Sequence, residues 1–256
     1  MSRFLVLFFI SLSASVLAQK SPIDAQDAIV AETGFTELEY RIVELSGLVS
    51  LSDQAKVSAQ HMIAASTVKA GAPSDNASDG WVEINHAQHF GIAQSLSKRW
   101  AQAEWKQRLL TIVDAMDDKT QAKTEKALSQ TVLRSAQKKE KAAISHQNTA
   151  EYRLYMNKLK QQPPAASRWS LVEALDKQSS FSQLIIMTRR QVYKEISAQV
   201  EGWQAPVNWE QDTRQEVLEF LFYAYRKTSN PELKKIAKGY DNPALKSFLQ
   251  DVKAGI

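Results

Sequence analysis

Glu83, His86 and His89 stand three residues apart in the run Trp81-Val-Glu-Ile-Asn-His-Ala-Gln-His, so three side chains that can ligate a metal share one short segment. On a helix, residues three apart lie on one face but drift by about 60° per step. His86 and His89 could then share an ion, with Glu83 leaning in. Di-iron bundles use Glu-x-x-His twice, with further glutamates from facing helices, and this chain shows no second copy. The same residues also describe a polar helix start after a linker, where a glutamate complements the helix dipole.

A second feature is electrostatic. Between Lys119 and Lys141 lie Lys119, Lys123, Lys126, Arg134, Lys138, Lys139 and Lys141, against only Glu125 and Glu140, a net +5 in 23 residues. Such a stretch suits anionic envelope material, whether lipid headgroups or acidic glycans. It equally describes a solvated helix face on which Glu140 is screened by its basic neighbours. Its apolar stripe is too narrow for a helix that inserts into a membrane. A third cluster, Trp203, Trp209, Phe220, Phe222, Tyr223, Tyr225 and Tyr240, could line an apolar pocket. Its helical spacing fits core packing as well, with Tyr225 and Arg226 able to form a buried polar network. There is no Gly-x-Ser-x-Gly, no cysteine and no phosphate loop, so no nucleophile or cofactor motif is present.

The elements that hold these residues read as helices. Gly numbers 8 and Pro 7, too few for the frequent turns of an all-β chain. Thr36-Glu37-Leu38-Glu39 is a capping box, followed by Leu38, Ile42, Leu45 and Val49 at helical spacing. A short helix is expected from Ser52 to about Lys69. Residues 70–80 form a small-residue linker broken by Gly71, Pro73 and Gly80. Helical pattern resumes from Trp81 to about Met116, with Phe90, Leu96, Trp100, Trp105, Leu109, Ile112 and Val113 marking buried faces. Residues 119–160 read as one long helix, with Asp117-Asp118 at its start and Pro163-Pro164 beyond its end. A further stretch runs from near Ser167 to Gly202. Asn208 is expected to cap an almost wholly apolar helix containing Val217–Tyr225, which should be central. Ser229-Asn-Pro-Glu232 and Asn242-Pro243 start two more helices.

The first residues read as an export signal: Arg3, the apolar run Phe4–Leu12, and small residues up to Ala18, after which cleavage is expected. That apolar run is far shorter than the roughly 20 residues that span a bilayer. Of the 32 basic residues only Arg3 lies in this segment, so the remainder carries 31 basic and 28 acidic side chains, a net +3 that does not argue for nucleic acid. With no cysteine, an exported chain must hold itself together by burial alone.

The C-terminal 40% or so carries Pro163-Pro164, Leu171, Leu175-Asp176, Leu221-Phe-Tyr223-Ala-Tyr225-Arg226, Ser229, Glu232-Leu233, Tyr240 and Asn242-Pro243. This pattern resembles a group of bacterial envelope proteins of uncharacterised function, departing from it at Asn242, where the group has Ser. The resemblance implies an all-helical periplasmic protein and no catalytic residues.

These readings give an all-α fold, a helical bundle or irregular array of antiparallel helices. They place residues 19–256 in one helical domain, divisible into sub-bundles 19–160 and 165–256. The expected function is non-enzymatic, binding another envelope protein or an anionic envelope component without a cofactor. The alternative is a metal- or carboxylate-dependent hydrolase.

Overall fold

Local capping accounts for most of the helix boundaries. In the computed structural model, which describes residues 34–68, 84–147 and 149–256, the described residues hold twelve α-helices and no strand. The chain is all-α. Helix α1 spans Glu37–Ser46 and opens with the expected capping box: the Glu39 N–H donates to Thr36 Oγ1 at 3.3 Å while the Thr36 N–H donates to the Glu39 carboxylate at 2.6 Å. Gly47 ends it in the left-handed region at φ 69°, which glycine adopts without strain. A 3-10 turn, Leu48–Ser50, leads into α2, Leu51–Val68.

The 81–116 stretch is two helices, α3 (His86–Arg99) and α4 (Gln102–Asp114), bent at Trp100. Trp100 and Trp105 are fully buried. The Trp105 indole N–H donates to the Leu48 carbonyl at 2.8 Å, tying α4 to the 3-10 turn. Phe90 departs from expectation and is 65% exposed. The buried face of α3 is set by Ile92 and Leu96, and two residues along a helix turn the side chain by about 200°, so Phe90 points the other way.

The 119–160 segment is not one helix but three: α5 (Asp118–Leu128), α6 (Thr131–His146) and α7 (Ala150–Gln161). Asp117 caps α5 through the Thr120 N–H at 3.0 Å, as expected. Thr149 caps α7 through the Tyr152 N–H at 3.2 Å. The paired prolines follow the end of α7. The 167–202 stretch likewise divides, into α8 (Ala166–Ser179) and α9 (Phe181–Gln199), at Ser180 with φ 56°. The corner is closed by Asp176, 4% exposed, whose carboxylate accepts the Ser182 N–H of α9 at 2.8 Å.

Asn208 does not cap α10 (Trp209–Ala224) with its side chain. Its backbone is left-handed at φ 63°, which turns the carboxamide away from the first amides. Helix α10 is buried over most of its second half, as its composition requires. Ser229 caps α11 (Asn230–Tyr240) through the Glu232 N–H, but Glu232 turns its carboxylate to Lys139 instead of completing a capping box. Asn242 caps α12 (Pro243–Gly255) at the Ala244 and Leu245 amides.

Helices α9 and α10 pack on each other at the centre. Helices α2 and α3 lie against α9, and α6, α7 and α8 against α10. Helix α11 covers α8 and α6, while α12 returns to lie on α4 and α5. Contacts therefore cross the 160–165 region repeatedly, and one cluster of buried residues runs from Tyr40 to Ile256. Asp176→Ala should lower unfolding stability by about 1–3 kcal/mol, because it orphans the buried Ser182 N–H. Asp176→Asn keeps an acceptor and should lose less; equal losses in urea denaturation would refute this capping role.

Candidate functional site

Helix α5 presents two opposed faces. Inward, Gln121, Thr124, Ala127 and Leu128 are buried. The Gln121 side-chain amide donates to the Val113 carbonyl at 3.0 Å and the Met116 carbonyl at 3.3 Å, and Arg41 pairs with Glu125 at 3.0 Å. These contacts fix the register of α5 against α1 and α4. Glu125 is also held by the Ser129 hydroxyl at 2.8 Å, so the one acid of α5 beyond its first turn is already engaged.

The outward face carries Lys119, Lys123 and Lys126, and Arg134, Lys138, Lys139 and Lys141 follow on α6. The basic stretch is thus divided between two helices joined at Ser129-Gln130. Lys139 is withdrawn from it: its ammonium pairs with Glu232 at 2.5 Å and donates to the Thr228 hydroxyl at 3.0 Å. Arg134 reaches Gln137 on its own helix. Among the described residues, none of Lys119, Lys123, Lys126, Arg134, Lys138 and Lys141 forms an ion pair.

Between the outer face of α5 and the start of α12 lies a cleft of about 610 Å³. Lys123, Lys126 and Gln130 form one side, and Asn242, Pro243 and Ser247 form the other. No carboxylate lines it. Asp241, next to the lining residue Asn242, is paired with Lys246. The cleft wall contributed by α12 held no signal in the sequence, because it joins distant segments. A second cavity, between α9 and α10 beside Gln147 and Arg189, measures about 40 Å³, too small for an organic ligand.

His86 and His89 are exposed on the first turn of α3 with ring centroids 6.5 Å apart. Glu83 lies outside the described residues. Among the described residues no three of His, Cys, Asp and Glu come together as a metal site.

The aromatic residues divide into separate packing pairs. Tyr193 meets Trp203 and Trp209 at 5.6 and 4.8 Å, Phe220 faces Phe181 at 6.0 Å, and Phe222 faces Trp169 at 4.8 Å. Tyr223 sits among Tyr152, Tyr155 and His146. Arg226 covers the Tyr223 ring at 3.8 Å and pairs with Glu151 at 2.9 Å. Tyr225 belongs to a different network, its hydroxyl donating to Glu140 at 2.6 Å. Glu140 is therefore not screened by lysines, as its sequence neighbours suggested. It turns inward toward Tyr225, while adjacent Lys139 turns to α11.

A half-buried ion pair that the sequence does not announce joins α9 to α10. Arg189 donates to Thr213 at 2.7 Å and to Glu216 at 2.9 Å.

No protein-family model matches this chain, and no curated protein or solved structure matches it.

Burial pushes the Glu140 carboxyl above its ordinary value of 4.5, and the Tyr225 hydrogen bond only partly opposes this. The folded chain then retains a proton that the unfolded chain has lost. Stability from this group falls as pH rises from the ordinary carboxyl range through the raised folded value. Glu140→Gln keeps the acceptor for Tyr225 without the charge. Its melting temperature should exceed the parent's by a few degrees near neutral pH, with the gap closing below about pH 4. A gap that does not change with pH would refute the assignment.

Proposed function

We propose that this chain acts outside the cytoplasm as a non-enzymatic helical protein that holds an anionic component of the cell envelope on the outer face of α5 and α6. The observation that carries this reading is the set of six cations without an acidic partner among the described residues, three of them on α5. A merely solvated helix usually intersperses both signs. Here the two acids of the stretch are engaged elsewhere, Glu125 with Arg41 and Glu140 with Tyr225. With Asp117 and Asp118 counted, 117–141 carries 7 basic and 4 acidic residues, a net +3, and the cleft with no lining carboxylate lies against it. The leader-like first residues and the envelope-protein motifs support the compartment. No helix among the described residues is long and apolar enough to cross a membrane, so the contact with an envelope component is read as peripheral.

The reading is tested by sedimentation of residues 19–256 with vesicles of phosphatidylglycerol and of phosphatidylcholine. Association should be confined to the anionic vesicles and should weaken steeply with salt. The triple variant Lys119→Glu, Lys123→Glu, Lys126→Glu should bind at least about tenfold more weakly, since each cation near such a surface contributes favourably. These side chains are exposed, so an unchanged helical circular dichroism spectrum would accompany the loss. Equal association with neutral vesicles, or none with either, would overturn the reading.

A further inference from the structure

We infer that the cleft between α5 and α12 receives a phosphate monoester carried on a small hydroxylated body, such as a sugar or glycerol phosphate. This inference rests on the anion-binding reading above and narrows it from a face to a pocket. Lys123 and Lys126 stand three residues apart on α5, both line the cleft, both are exposed, and neither meets an acid among the described residues. Their ammoniums are compact, mobile point charges that suit phosphate without the fixed fork of arginine. Two of them match the charge of about −1.5 to −2 on a phosphate monoester near neutral pH better than the single charge of a carboxylate.

The remaining walls argue for a body beyond the phosphate. Gln130 offers an amide and Ser247 a hydroxyl for hydrogen bonding, while Pro243 and Ala244 supply short apolar surfaces. The start of α12 is not needed for the anion, because Asn242 already accepts from the Ala244 and Leu245 amides. A volume of about 610 Å³ falls within the roughly 300–1,000 Å³ of ordinary small-molecule sites and far exceeds a bare phosphate. The absence of any lining carboxylate removes the repulsion that would exclude a dianion.

The test is calorimetric titration of the full chain with glucose 6-phosphate, inorganic phosphate and glucose at low salt. Glucose 6-phosphate should bind, inorganic phosphate should bind more weakly, and glucose should give no signal. Affinity should fall as pH drops through about 6, where the monoester takes up a proton while the lysines keep theirs. The double variant Lys123→Gln, Lys126→Gln should weaken binding about tenfold or more, whereas the exposed pair Lys158→Gln, Lys160→Gln on α7 should leave it nearly unchanged. Vesicles of phosphatidic acid, a lipid monoester, identify the source. Binding to them that depends on Lys123 and Lys126 and exceeds binding to phosphatidylglycerol assigns a lipid headgroup; glucose 6-phosphate binding without it assigns a free ligand. Equal weakening by both double variants, or glucose 6-phosphate binding no tighter than inorganic phosphate, would overturn the pocket. If anionic vesicles were still bound, the broader reading would survive that failure. Loss of every anionic ligand and vesicle would sink both.

Discussion

Apolar packing between α9 and α10 organises this molecule. The chain has no cysteine, so no disulfide restricts the unfolded state, and the ordering of its helices must be offset by burial and by well-made hydrogen bonds. Val192 and Ile196 on α9, and Leu221, Phe222 and Tyr223 on α10, are almost wholly buried. Six other helices, α2, α3, α6, α7, α8 and α12, rest on this pair directly. Helices α1, α4, α5 and α11 are placed at one remove, which leaves the basic face of α5 outside the central packing. Its charges are therefore not spent on holding the core.

Two polar contacts add registration to that apolar centre. Arg189 reaches Thr213 and Glu216 across the central pair. Breaking one member of such a pair costs more than the pair contributes, because the partner's charge is left behind in partly buried surroundings. Asp176 holds the start of α9 across a corner where Ser180 takes a left-handed conformation that helices seldom tolerate outside glycine. Together these contacts fix where α9 begins and how it faces α10.

Helical class and most helix starts were legible because they depend on neighbours in sequence. Thr36, Asp117, Ser229 and Asn242 announce caps by residue type and position, and apolar spacing marked Trp100, Trp105, Leu109 and Val113 as interior. Helix breaks at Ser129-Gln130, Thr149 and Ser180 were not legible. None contains the glycine or proline that punctuates a chain, and each is stabilised by tertiary contact or by a cap that resembles ordinary helix sequence. Phe90 was misplaced because apolar character alone does not say which face of α3 meets the core. The basic stretch was visible as composition, but its division between α5 and α6, the diversion of Lys139 to Glu232, and the inward turn of Glu140 are consequences of side-chain direction. Residues adjacent on a helix point about 100° apart, so Lys139 and Glu140 find different partners on different elements. The cleft was invisible for a stronger reason: half of it arrives with α12.

The return of α12 onto α4 and α5 joins two distant stretches of chain into one concave surface. Neither stretch has that concavity by itself. Whatever lodges there touches both, so occupancy and the seating of this helix are thermodynamically linked: a bound molecule resists local detachment of the helix, and detachment ejects the molecule. Amide protons of Leu245, Phe248 and Leu249 sit on the moving partner, making their exchange with solvent a direct gauge of whether the surface is filled.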